Sequence, residues 1–205
     1  MARHLATCER RGTVLAEVNA PPGLDTTLFH LQARDAWTGE YWLDLEIDGS
    51  ASLGVLDSYL RAIWLECCGH MSQFSIGGWR GERIPISRKI HQAFRTGVEL
   101  THIYDFGTES VTLIAAVDRR TGKPTTRRPI ALMARNVPPL FECQQCDNAA
   151  IYLCEECRAE EDRPGTLCAK HGVSHPHENY GELIRIVNSP RIGMCGYTGP
   201  AQPPY

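Results

Sequence analysis

The sequence predicts an α+β fold, a largely antiparallel sheet with one long helix packed on it, followed by a small cysteine- and histidine-rich domain. Three observations carry this prediction. Two regions, 28–48 and 98–135, are rich in segments that alternate apolar and polar side chains. Residues 52–69 switch to the 3.6-residue period of a helix face. Five of the nine cysteines and three of the eight histidines crowd between residues 143 and 177.

Residues 1–24 are mixed in character and give no assignment. In "LFHLQARD" (28–35), Phe29, Leu31 and Ala33 alternate with His30, Gln32 and Arg34, the pattern of a strand. In "YWLDLEID" (41–48), Tyr41, Leu43, Leu45 and Ile47 face one way and Trp42, Asp44, Glu46 and Asp48 the other. "AWTGE" supplies the turn between them, which makes a hairpin. In "SLGVLDSYLRAIWLECCG" (52–69), Leu56, Tyr59, Leu60, Ile63, Trp64 and Cys67 share one helix face, with Ser52 as N-cap and Gly69 as the stop. "SQFSI", "GGWRGE" and "RIPIS" read as a second hairpin, and "RKIHQAF" as a short helix or turn. "VELTHIYDF" (98–106) and "SVTLIAAVD" (110–118) are strands, and a basic loop, "RRTGKPTTRR" (119–128), leads into a last strand, "PIALMAR".

"NVPPLFE" marks a boundary where prolines precede the first clustered cysteine. Residues 138–205 carry nine acidic and five basic side chains, against fifteen and sixteen in residues 1–137. The expected division is an N-terminal segment (1–24), an α+β domain (25–136), a cysteine-rich domain (138–198) and a flexible tail (199–205). The formal net charge of −3 points neither to a strong polyanion binder nor to an acidic tail. No apolar run approaches the ~18 residues of a membrane span. The N-terminal "MARHLATCERRGTVLAEV" lacks the apolar core of a signal peptide, so the expectation is a cytoplasmic protein with no membrane partner.

The clustered residues run Cys143, Cys146, Cys154, Cys157, Cys168, His171, His175, His177, or C-x2-C-x7-C-x2-C-x10-C-x2-H-x3-H-x-H. Both sulfurs of a Cys-x-x-Cys knuckle reach one ion, and eight thiolate and imidazole donors suffice for two tetrahedral zinc ions. The seven-residue gap between the knuckles is shorter than the ~15–20 residues of a simple two-knuckle site. It favours a cross-brace, with Cys143, Cys146, Cys168 and His171 on one zinc and Cys154, Cys157, His175 and His177 on the other. The alternative is sequential pairing, with all four early cysteines on one ion. Disulfides, a redox dithiol and an iron–sulfur cluster fit less well, because they leave the histidines unexplained or need an oxidising compartment. A catalytic zinc leaves an open position, and eight donors for two ions leave none. The cluster order resembles that of B-box and related cross-brace zinc fingers, over about 35 residues. The small domain has few large apolar residues, and a core of that size contributes only about 3–5 kcal/mol. A structural zinc contributes on the order of 10–16 kcal/mol.

"LDSYLRAIWLECCGHMSQFSIGG" and "IYDFGTESVTL" resemble the Ri-plasmid orf-three-like family, passenger proteins of plasmids and insertion elements. His70 and Phe74 match the first His and the Phe of its Ser-His-Leu-His-x-Phe-like motif, and Tyr104, Asp105, Phe106 and Gly107 match its Tyr-Asp-Phe-Gly. Ser72 replaces the second family His, and the Trp that often follows the glycine is missing. The similarity spans roughly 25–136, and "IVNSPRIGMCGYTGP" looks like the tail of members with a cysteine-rich extension. The resemblance implies a largely antiparallel α+β domain and no secure activity.

Outside the cluster, "CCGH" (67–70) is either part of a metal site or, as the helix spacing of Cys67 favours, carries a buried structural thiol, and Cys195 reads as a packed tail thiol rather than a ninth ligand. His70 either caps the helix end or sits in a groove, and Asp105 bonds turn amides. His70, Tyr104 and Asp105 are also the candidate groups of a catalytic pocket. Arg119, Arg120, Lys123, Arg127 and Arg128, with Arg135 beyond, form either a solvated loop or a phosphate contact. The leading expectation is a two-zinc, non-enzymatic protein that binds a protein partner. The alternatives are a nucleic-acid-binding accessory protein using the 119–128 loop and an enzyme using the His70/Tyr104/Asp105 pocket.

Overall fold

The computed structural model of the chain describes residues 1–95, 97–177 and 179–204, except the side chain of Ala2. It is dominated by one antiparallel sheet of seven strands: β1 (Thr26–Asp35), β2 (Trp42–Asp48), β3 (Ser72–Ile76), β4 (Glu82–Ile84), β5 (Glu99–Tyr104), β6 (Ser110–Gly122) and β7 (Ile130–Arg135), in the order β4-β3-β5-β6-β1-β2-β7. The expected first hairpin forms, with Leu31 opposite Leu45 and Ala33 opposite Leu43. The apolar alternation sets the buried face: Leu31, Ala33, Leu43, Leu45 and Ile47 are fully buried. This face packs on helix α3 (Leu53–Leu60) and the short α4 (Ile90–Ala93), with Trp64 also in the core.

The second face of β1 and β2 is polar, and its middle is buried. Asp44 and Glu46 are buried; Asp44 Oδ1 lies 2.6 Å from His30 Nε2, and Arg120 donates to Glu46 through Nε (2.8 Å) and Nη2 (2.6 Å). The N-terminal segment forms α1 (Ala2–Thr7) and α2 (Glu9–Asn19). Leu5 is buried, Arg11 sits 3.5 Å from Glu46, and Lys123 bonds Asn19.

The one long helix expected over 52–69 does not form. α3 spans eight residues and passes into a π-helical turn, Arg61–Leu65. The Glu66 N–H bonds the Arg61 carbonyl five residues back, at 2.9 Å, and Glu66 itself is extended. The cause lies in the sheet. The Tyr104 hydroxyl accepts the N–H groups of Cys67 and His70, each at 3.4 Å, and donates to Glu66 Oε1 at 3.0 Å. These bonds draw residues 66–70 off the helix axis, so Cys67 leaves the helix face that its spacing predicts.

The basic loop is also shorter than expected. β6 runs on to Gly122, which places Arg119 and Arg120 on a strand. Arg120 is held by Glu46, and Arg135 donates to the carbonyls of Ala201 (2.8 Å) and Asn188 (2.6 Å).

Asp57 on α3 joins three elements. Its Oδ1 accepts from Ser72 Oγ at 2.6 Å and lies 2.8 Å from His102 Nε2, and its Oδ2 accepts from Arg61 Nε at 2.7 Å. Burial pushes this carboxyl up, but bonds from His102, Ser72 and Arg61 outweigh it and lower the pKa from 3.8 to about 2. The resulting stabilisation is present above the unfolded value and is lost as pH falls through the folded one. Asp57→Asn is therefore expected to lower stability by on the order of 2 kcal/mol at neutral pH. In denaturant titrations the gap to wild type should narrow as pH falls from about 4 to about 2. Arg120→Ala, which removes the two short bonds to the buried Glu46 carboxylate and leaves it Arg11 at 3.5 Å, is expected to cost about 3 kcal/mol. The exposed Arg127→Ala should stay within about 0.5 kcal/mol of wild type.

Candidate metal centres

The cysteine-rich region is built from very short elements: β8 (Glu142–Cys143), β9 (Cys146–Ala149), β10 (Tyr152–Leu153), α5 (Glu155–Glu160), β11 (Thr166–Leu167), α6 (Ala169–Val173) and β12 (Ile184–Arg185). β8 and β9 form a hairpin with Cys143 opposite Cys146, and β10 lies between β11 and β12. Cys154 caps the start of α5, where its Sγ accepts the Cys157 N–H at 3.4 Å. Cys168 precedes α6, so His171 falls within the first turn.

These elements bring the eight predicted residues into two groups of four. In the first, Cys143, Cys146, Cys168 and His171 converge: His171 Nδ1 lies 3.3, 3.5 and 3.6 Å from the Sγ of Cys143, Cys146 and Cys168, and Cys146 Sγ lies 3.9 Å from Cys168 Sγ. In the second, Cys154, Cys157, His175 and His177 converge. Cys157 Sγ is 3.4 Å from His175 Nε2 and 3.3 Å from His177 Nδ1, and Cys154 Sγ is 3.6 Å from His177 Nδ1. The knuckle that comes first in the chain thus joins Cys168 and His171, and the next joins the two later histidines. The four early cysteines do not share a centre.

Surrounding groups orient both sets. Gln144 donates to Cys157 Sγ at 3.4 Å and accepts the Gly165 N–H at 3.0 Å, tying the first knuckle to the second centre. Asn148 donates to Cys146 Sγ, and Glu161 lies 3.3 Å from His177 Nε2. Such partners fix ring orientation and thiolate basicity. For Cys143, burial pushes the thiol up, but the Cys168 and Gln145 amides and His171 pull it down to about 6. Burial and Cys154 raise Cys157, although Gln144 opposes this. Burial and His177 lower His175, which favours its neutral form. Adjacent thiols cannot all ionise alone, and a cation among them removes that conflict. Each group is therefore compatible with a metal ion.

A third group, Cys67, Cys68, His70 and Cys195, also gathers its donor atoms within 4.8 Å. Sequence spacing gave no sign of it, because Cys68 and Cys195 lie 127 residues apart. The one available signal was local: two cysteines and a histidine in "CCGH". Cys195 is exposed rather than packed.

The candidate catalytic residues do meet. His70 Nε2 is 3.5 Å from Asp105 Oδ2, and its ring stands 5.7 Å from that of Tyr104. Their polar atoms are committed elsewhere, however. Asp105 accepts from Arg191 Nη2 at 2.6 Å and, as expected for a turn residue, from the Gly107 N–H at 2.9 Å. A cleft of about 840 Å³ is lined by residues such as Asp48, His91 and Arg119 and by none of these three.

No family model matches the chain, and no curated protein matches it. Among solved structures, it is similar to a protein of unknown function, MM3350, from Methanosarcina mazei Go1. The TM-score is 0.46 at 14% identity, over 55% of this chain and 70% of that one.

Proposed function

We propose that this chain is a zinc-binding, non-enzymatic protein whose metal-braced C-terminal part presents a surface to a protein partner. One observation carries the reading: each of the two expected centres gathers four protein donors, so a bound ion has no position left for a substrate. Cys143, Cys146, Cys168 and His171 would hold one zinc, and Cys154, Cys157, His175 and His177 the other. Mixed thiolate and imidazole sets in a tetrahedral array suit zinc over magnesium or calcium, which take oxygen donors. The ions brace a small core, and free thiols in this number fit a reducing compartment such as the cytoplasm.

The proposal extends to the Ri-plasmid orf-three-like family and to a passenger role on plasmids or other mobile elements. Its support is the motif set of His70, Phe74 and Tyr104 to Gly107. A nucleic-acid reading would rest on the 119–128 segment, in which Arg120 is engaged by Glu46.

Metal analysis of purified protein tests the reading. Cys143→Ser with Cys146→Ser, and Cys154→Ser with Cys157→Ser, are each expected to lower zinc content by one ion per chain. Unchanged content in both pairs would overturn it. Chelation should abolish amide protection in residues 142–185 while the seven-stranded sheet keeps its own, as read by hydrogen exchange. A partner captured from host extract should be lost with the Cys154/Cys157 variant. Duplex binding that weakens with salt and with Arg127→Ala and Arg128→Ala would favour nucleic acid instead.

A further inference from the structure

We propose that Cys67, Cys68, His70 and Cys195 form a separate zinc site that clasps the C-terminal segment onto the seven-stranded sheet. The site lies outside the cross-brace and does not depend on it for its donors.

The geometry is that of the other two centres. Cys195 Sγ lies 3.4 Å from Cys68 Sγ and 3.4 Å from His70 Nε2. Around one zinc, with bonds of ~2.3 Å to sulfur and ~2.0–2.1 Å to nitrogen, tetrahedral donors sit about 3.4–3.8 Å apart. Two bonded cysteines would instead bring their sulfurs to ~2.05 Å. The set, three cysteines and one histidine, has the same composition as the Cys143 centre.

Independent anchors bring the two halves together. On the sheet side, the Tyr104 hydroxyl fixes the backbone at Cys67 and His70. On the tail side, Ser189 donates to the Trp64 carbonyl at 2.7 Å, and Arg191 is buried against Asp105. Four residues later the chain turns through Gly193, Cys195 and Gly196, all at positive φ (68, 52 and 64°), and Cys195 meets Cys68 and His70. A side chain other than glycine in that conformation is held there by its surroundings. Arg191 Nη2 also lies 3.4 Å from Cys67 Sγ, an outer-sphere donor suited to a metal-bound thiolate. Asp105 is already paired with this guanidinium, which leaves the His70 lone pair to the ion.

An ion here would close a very long loop, where a cross-link constrains the unfolded chain most. Cys68 and Cys195 are exposed, whereas Cys154 and Cys157 are buried. The clasp should therefore surrender its zinc to a chelator before the cross-brace does.

The test uses reduced, full-length protein loaded with zinc. Cys68→Ser with Cys195→Ser is expected to hold one zinc fewer per chain than wild type. If the Cys143/Cys146 and Cys154/Cys157 pairs each lose an ion and this pair loses none, the clasp is overturned while the cross-brace stands. The reverse pattern removes the cross-brace and keeps the clasp. Wild-type protein supplies a readout that does not rely on variants folding. In it, Cys68 and Cys195 should resist iodoacetamide until a chelator is added, with the modified sites mapped by mass spectrometry. Alkylation at the same rate with and without chelator overturns the proposal. So does a Cys68–Cys195 disulfide, seen as a mass lower by two hydrogens in zinc-loaded protein purified without reductant.

Discussion

The buried guanidinium of Arg191 is the contact on which the arrangement of the chain depends. Its side chain is fully buried, and it donates to Asp105 Oδ2 at 2.6 Å and to Thr108 O and Ser110 Oγ, each at 2.9 Å. An unpaired charge at that depth would cost several kcal/mol, so the C-terminal segment lodges where Asp105 is offered. Asp105 stands at φ 64°, and its other oxygen is held by the Gly107 amide. The guanidinium lies 4.8 Å over the Tyr104 ring, and Arg61 lies 4.7 Å over the same ring. The placement of residues 66–70 and of residue 195 follows from this one cluster.

The cysteine-rich region solves a different problem. Among the described residues, Cys154, Cys157 and Leu167 are the buried members of the core at its second centre, with Tyr152 and Leu183 packed against them. Strands of two to four residues and helices of five or six gain little from their own backbone bonds. An ion held at each group would supply the cohesion that apolar burial lacks. Gln144, bonded to both Cys157 and Gly165, makes the two centres one lattice rather than two beads.

The seven-stranded sheet keeps a charged seam beneath the N-terminal helices. His30 with Asp44, and Glu46 with Arg120, are paired where the alternation of β1 and β2 pointed to a solvated face. Buried pairs of this kind add little net stability but are costly to break, which favours one seating of the N-terminal helices over others.

Local periodicity made the strands legible: Leu43, Leu45 and Ile47 line the apolar core as their spacing required, because alternate side chains of a strand share one face. The gathering of these eight cysteines and histidines into two groups was legible for a similar reason. Donors two and three residues apart must share a neighbourhood, and the seven-residue gap favoured interleaving. Three features were decided only in three dimensions. The predicted helix ends at Leu65 because Tyr104, nearly forty residues away in sequence, captures the amides of Cys67 and His70. Arg120 is paired instead of free because β6 extends past the basic cluster and faces Glu46. Cys195 meets Cys68 because Arg191 and Ser189 seat the tail on the sheet. In each case the sequence by itself determined the chemistry a residue could offer. The tertiary structure chose its partner, because contacts across such separations depend on how elements pack and leave no periodic trace in the chain.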